Sequence, residues 1–416
     1  MSIALILAAL ALAGVPLFVV IAGSALWGYH AADIDLQAIA IEIFGVAEMP
    51  ILAAIPMFTF AGYLLSEGGA PGRLVRLSQA LLGWLPGGLA IIALAACAIF
   101  TAFTGASGVT IIALGALLYP ALKQAGYPDN FNLGLVTTSG SLGLLFAPSL
   151  PLILYGVVAK VSIDDLFVAG LVPGTLMIAL LAAWSLWVNR ANRVRMEDFS
   201  WQEARETVWA SRWEIPLPII VLGGIYSGYF AVSEAAAVTA IYVLLVEMVV
   251  LKEVPWPRLP LIMRESMVLV GGILLILGVS LASTNVMIDA GVPGMLFDAV
   301  SELVSGPTSF LWLLLGFLLV LGAILDIFSA IVLVVPLLIP VAAGYGIDPI
   351  HLGIIFLAAM QLGYLTPPVG LNLFIASYRF DKSITQIYMS TLPFLLILMA
   401  AVIMITFIPG MSLGLL

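Results

Sequence analysis

Long apolar runs separated by short polar joints organise this chain. Nine runs are long enough to cross a bilayer core as helices: residues 2–28, 50–65 with the turn before it, 131–159, 166–189, 215–230, 234–251, 266–288, 350–378 and 384–408. Two further stretches, 86–123 and 308–343, read as paired apolar limbs folded back on a short tip. The first tip is Thr104-Gly105-Ala106-Ser107-Gly108, and the second lies at Leu325-Asp326-Ile327. Neither has the basic, turn-rich composition of an exposed loop. Both are read as re-entrant hairpins, because irregular backbone at membrane depth persists only where protein buries it or it lines a cavity.

Residues 131–159 and 350–378 are each 29 residues long. A straight helix of that length runs to about 44 Å, against a hydrocarbon core of roughly 30 Å. Prolines stand at matching places, Pro148 and Pro151 in the first and Pro367 and Pro368 in the second. Proline removes an amide donor and clashes with the carbonyl one turn earlier, so each run is predicted to break into two half-helices. At such breaks free carbonyls can coordinate a cation, and half-helix N-termini turn a positive dipole end toward an anion.

The chain also repeats itself. Gly69-Ala70-Pro71-Gly72 returns about 220 residues later as Gly291-Val292-Pro293-Gly294, and the stretch from Ala147 to Tyr155 returns as Thr366 to Phe374. Arg73 and Arg76 follow the first glycine-proline turn, whereas Asp298 and Glu302 follow the second. Basic residues stay on the cytoplasmic face, so the copies are predicted to lie upside down relative to each other, the build of a secondary transporter. The expected fold is an all-α polytopic membrane protein of two inverted repeats, each with a hairpin and a broken helix. Its parts are a first half over 1–189, a cytoplasmic amphipathic connector over 190–213 and a second half over 214–416.

Composition agrees, since 63% hydrophobic and 9% charged residues are far from a soluble domain. Of 14 Lys and Arg residues, all but Lys160 thread to one face: Arg73, Arg76, Lys123, Arg190, Arg193, Arg195, Arg205, Arg212, Lys252, Arg258, Arg264, Arg379 and Lys382. That face is expected to be cytoplasmic, with the N-terminus on it and the C-terminus periplasmic. Trp201, Trp209 and Trp213 among Arg205 and Arg212 suggest an interfacial helix, and residues 72–83 and 256–264 suggest two more. The opening run lacks a basic n-region and reads as a retained span. Cys97 reads as a buried thiol, and His30 and His351 stand without metal-ligand company. Nothing resembles a nucleophilic triad, a phosphate loop or a base-reading motif, so neither an enzyme nor a nucleic-acid partner is expected.

Candidate chemistry gathers at the tips and breaks. Na+ favours a cage of neutral and anionic oxygens, which Thr104, Gly105, Ser107, Gly108 and Thr110 can supply at the first tip and Asp326 and Ser329 at the second. Asp326 either binds the ion or caps the second limb, and both roles are compatible. Thr137, Thr138, Ser139, Gly140 and Ser141 are expected to face Thr366 and Gly370 across the pseudosymmetry, and Ser139, Gly140, Gly363 and Thr366 join the Na+ candidates. Ser141, Pro148, Ser149, Pro367, Pro368, Gly370 and Asn372 are the substrate candidates. Asn372 either reads substrate or satisfies backbone groups freed by the break.

Four segments carry a family resemblance: Phe103 to Gly108, Thr138 to Gly143 with Pro148-Ser149, Ser233 to Val238, and Leu365 to Phe374. Together they resemble the large membrane subunit (M, DctM-like) of tripartite ATP-independent periplasmic (TRAP) transporters, over nearly the whole chain. The chain departs at Ala106-Ser107-Gly108, where the family often has a serine pair, and at Phe146-Ala147-Pro148-Ser149. The resemblance implies an elevator-type importer of organic acids in the bacterial inner membrane, with Na+ as coupling ion and no cofactor. It also implies a small four-helix membrane subunit (Q type) and a periplasmic substrate-binding protein (P type). A self-sufficient cation-coupled carboxylate symporter or antiporter of a related fold is the alternative.

Overall fold

The computed structural model describes residues 2–84, 87–190 and 199–416, and among these it forms helices and their connections only. Among the described residues seven helices are long and apolar enough to cross a membrane, or eight if the bent pair Asp129–Leu145 and Leu150–Ala159 counts as one span. The chain is a polytopic membrane protein.

The first half opens with α1 (Ser2–Leu12), α2 (Leu17–Ala31) and α3 (Gln37–Ala47), then a 3-10 turn at Pro50–Ala53 and α4 (Ala54–Glu67). The single span expected over 2–28 is therefore two helices. Gly14 takes φ +84° and Pro16 offers no amide donor, so the hydrogen-bond ladder stops between them. The amphipathic α5 (Ala70–Leu82) is a separate helix, with Pro71 in its first turn. Hairpin 1 comprises α6 (Gly88–Thr104), α7 (Ser107–Ala113) and α8 (Gly115–Gln124). Its expected start at Pro86 lies outside the described residues. The first long run is α9 (Asp129–Ser139), a 3-10 turn at Leu142–Leu145 and α10 (Leu150–Ala159), bent by 42° at the break. α11 (Ile163–Asn189) follows.

Arg193 and Arg195 of the connector lie outside the described residues. Beyond them α12 (Trp201–Ala210) starts on Ser200, whose hydroxyl accepts from the Glu203 amide at 3.3 Å. Arg212 lies over the rings of Trp209 and Trp213, 4.8 and 5.5 Å from their centres. The second half continues through α13 (Pro216–Tyr226), α14 (Val232–Leu245), a π-helical turn at Val246–Val250 and α15 (Leu259–Asp289). The interfacial helix expected over 256–264 is not separate. Pro260 sits in the first turn of α15, where its missing donor costs nothing, so the polar segment is the start of a 31-residue helix. Then come α16 (Val292–Leu303), α17 (Pro307–Ile324) and α18 (Ile327–Gly344), followed by α19 (Pro349–Gly363) and α20 (Leu371–Phe380) with the second break between them, α21 (Ile384–Phe407) and α22 (Gly410–Leu413).

Two packed groups result. In one, α15 runs along α2, α3 and α4, and α14 along α4. In the other, the hairpins and broken helices interlock. The first limb of each hairpin packs on the broken helix of its own half, α6 on α9 and the 142–145 turn, and α17 on α19. The second limbs exchange partners, so that α7 lies against α20 and α18 against α10. The α17–α19 crossing is backbone to backbone: a Cβ on Gly363 would sit 2.4 Å from the Gly322 carbonyl carbon, so only glycine fits. Ser280 on α15 donates to the Val332 carbonyl on α18 at 2.9 Å, joining the two groups.

Candidate functional site

Hairpin 1 turns at Gly105, which takes φ +65° and whose added Cβ would meet Leu150 at 2.4 Å. The turn sets α6 and α7 against the first break. Thr101 donates to the Gly140 carbonyl at 2.9 Å, and its hydroxyl lies 2.7 Å from that of Thr110. The three hydroxyls of Thr104, Thr137 and Thr138 are fully buried at this junction without a hydrogen-bond partner. Burying one unsatisfied polar group costs about 1–3 kcal/mol, and a cation that takes hydroxyl oxygens as ligands would remove that cost. Other candidates here are already engaged. Ser139 donates to Val136 at 3.3 Å, Ser141 to Thr138 at 3.4 Å and Ser149 to Leu144 at 2.7 Å. Gly140 is packed against Ile111, and Pro148 is sealed in the interior.

Ser107 does not turn to the break of its own half. Its hydroxyl donates to Asn372 Oδ1 on α20 at 2.7 Å, and the Asn372 amide reaches the Thr137 carbonyl at 3.5 Å. Asn372 thereby satisfies a backbone carbonyl near the first break and joins the two halves. Gly108 allows the same contact, since a Cβ there would meet Ile375 at 2.7 Å. Hydrogen bonds across the two breaks run through a residue other than Thr366. Asn372 is what reaches Thr137, while Thr366 turns back to its own helix and donates to Gly363 at 2.8 Å.

At the second tip Asp326 is the N-cap of α18. One carboxylate oxygen accepts from the amides of Phe328 and Ser329, both at 3.0 Å, and the other from the Ser329 hydroxyl at 2.5 Å. The Tyr364 hydroxyl accepts from the Ile327 amide at 2.7 Å, and the amides of Val369 and Gly370 both donate to the Ala323 carbonyl at 3.2 Å. The two breaks differ in access. Residues 139–145 and 147–150 are buried, whereas Asp326, Pro367, Pro368 and Val369 are exposed and Gly370, at φ +54°, opens α20 beside them.

A charged cluster that the sequence reading missed sits where α4 meets α5. Arg73 donates to Glu214 through Nε at 2.6 Å and to Glu253 through Nη1, and its Nη2 lies 3.6 Å from Glu247. Glu247 is fully buried. Burial pushes the Glu253 carboxyl up, but the hydrogen bonds from Arg73 and the Gly69 amide outweigh this and hold it below the usual carboxylate range. The one available signal was a glutamate near the end of an apolar run.

Two hairpin tips meeting two broken helices, one closed and one open, sit inside a body of apolar helices. Residues 3–411 match the family described as the tripartite ATP-independent periplasmic transporter, DctM component. The chain belongs to the DctM family. The C4-dicarboxylate TRAP transporter large permease protein DctM of Pseudomonas aeruginosa is 35% identical over 92% of this chain and 90% of its own length. The isethionate TRAP transporter permease protein DctMQ of Oleidesulfovibrio alaskensis is 32% identical over 89% of this chain and 58% of its own. The crystal structure of the Alcanivorax borkumensis YdaH transporter superimposes with a TM-score of 0.65, covering 91% of this chain and 88% of that one at 15% identity, a likeness of fold alone. The DctM-family chain is thus a large TRAP permease, one component of a tripartite system.

Proposed function

We propose that this DctM-family permease imports a small organic anion across the inner membrane, driven by Na+ and by movement of the interlocked hairpin group past the α2–α4, α14 and α15 group. The observation that supports Na+ most directly is the set of buried, unpartnered hydroxyls of Thr104, Thr137 and Thr138 at the first tip and break. Thr101, Gly105, Ser107, Gly108, Ser139 and Gly140 shape that first ion site. A second would involve Asp326, Ser329, Gly363 and Thr366, with the Asp326 cap leaving its negative charge in place. The open second break, Pro367, Pro368, Gly370 and the start of α20, is the place for the substrate anion. Its counterpart at Ser141, Pro148 and Ser149 is closed in this state, as alternation between two access states requires. The name DctMQ of the isethionate relative joins a second component to this one, which favours a complex with a small membrane subunit and a periplasmic binding protein over a self-sufficient carrier.

Reconstitution tests this reading. Proteoliposomes carrying the permease, its small subunit and a loaded binding protein should accumulate substrate only under an inward Na+ gradient. Concentrative uptake with Na+ equal on both sides, no potential and no pH gradient would remove it, and transport without either partner would favour the self-sufficient carrier.

A further inference from the structure

The cluster at the α4–α5 corner has a charge imbalance that its geometry assigns to one residue. Among the described residues Arg73 is the only cation within it, and it faces three carboxylates, from the turn before α13 (Glu214), the π-helical turn after α14 (Glu247) and the loop beyond (Glu253). Glu214 takes the Nε hydrogen bond, and Glu253 takes Nη1 together with the Gly69 amide, 2.6 Å away. Glu247 is left over. It is fully buried, its nearest cationic atom is 3.6 Å away, and no donor reaches either carboxylate oxygen. The backbone closes over it, since a Cβ on Gly68 would lie 2.2 Å from Glu247 Oε2. Beyond Arg73, the charged groups acting on Glu247 are Glu253 and Glu214. The neighbouring Glu67–Arg258 pair, Lys252 and Arg76 lie at the exposed rim.

An ionised carboxylate buried beside two others, with no donor of its own, is relieved by taking up a proton. A metal ion would not serve, because the guanidinium already occupies the centre of the cluster. We propose that this corner is a resident proton-binding site: Glu247 is held as a neutral carboxylic acid whose hydroxyl faces the Glu253 carboxylate, and this proton keeps the α4–α5 corner closed over Arg73. The step is protonation of one carboxylate, with water as the proton source. Glu253, whose side chain is 30% exposed, gives the route for exchange. Because α5 leads directly into hairpin 1, loss of the proton adds a negative charge where the ion-binding hairpin is anchored to the rest of the protein.

Infrared spectroscopy and thermal melting of the full-length chain in lipid nanodiscs test this, and neither readout involves Na+ or transport. The folded chain carries one proton more than the unfolded chain above the ordinary carboxylate range, so stability should fall as pH rises. Between about pH 6 and pH 10 the wild-type Tm should drop by about 3 °C or more beyond the drop in Glu247→Gln, whose amide mimics the neutral acid. Glu247→Gln should also lose a protonated-carboxyl C=O band present in the wild type at neutral pH. In Glu253→Gln, with one negative neighbour gone, that band should disappear at a lower pH, which keeps the test open if Glu247→Gln fails to fold. An alkaline loss of Tm that persists unchanged in Glu247→Gln, or a carboxyl band that neither variant alters, overturns the proposal.

Discussion

Individual hydroxyls at the first junction fall into two kinds, and the difference predicts what each does. Thr101, Ser107 and Ser149 have partners, whereas the hydroxyls of Thr104, Thr137 and Thr138 have none. Removing a paired hydroxyl should cost about 1 kcal/mol of stability, while removing an unpaired one should cost little in the absence of ligand. Thr104→Val and Thr138→Val should therefore melt close to wild type without Na+ and raise the Na+ concentration for half-maximal uptake by about tenfold, roughly 1.4 kcal/mol. Thr239→Val, which loses only a bond to the Ala235 carbonyl within α14, is the control and should keep wild-type Na+ dependence. Uptake measured against Na+ concentration decides. An unchanged Na+ dependence in both site variants would place the ion elsewhere.

Among elements, the crossing of α17 and α19 sets the geometry of the second break. Gly322 and Gly363 let the two backbones touch, and the Ala323 carbonyl then accepts from Val369 and Gly370 across the break. A methyl group at 363 has no room, and overpacking of this kind costs about 1–3 kcal/mol. Gly363→Ala should lower the melting temperature and the yield of folded permease, and it should impair uptake even at saturating Na+. Thermal melting of the purified variant checks the first effect, and a melt identical to wild type would contradict the backbone contact. The segments of hairpin and break were legible from apolar runs and paired prolines. The split of residues 2–28 and the merging of 256–264 into α15 were not, because each turns on how a proline stands at a helix start, Pro16 just before α2 and Pro260 within the first turn of α15.

At the scale of the whole molecule, the charge pattern predicts an orientation. Asp129 opens the first broken helix beside Lys382, 3.5 Å away, and Asp164 opens α11 at the other end of that helix. With Cys97 replaced, a single cysteine at Asp129 should be labelled by an impermeant thiol reagent only from the cytoplasm, and one at Asp164 only from outside. Labelling of Asp129 from outside would overturn the inverted arrangement of the two halves.

The sequence alone determined where the chain is apolar, where its long runs must break and which short polar tips accompany them. Bilayer solvent forces each helix to satisfy its own backbone, so those features are written locally, residue by residue. Tertiary structure decided which hydroxyls stay unpaired, how the second hairpin limbs exchange partners and how three glutamates close around Arg73. Ser107 and Asn372 meet across 265 positions of sequence, and Arg73 and Glu253 across 180. No local pattern specifies such pairings, because they depend on how packed helices bring distant side chains within reach.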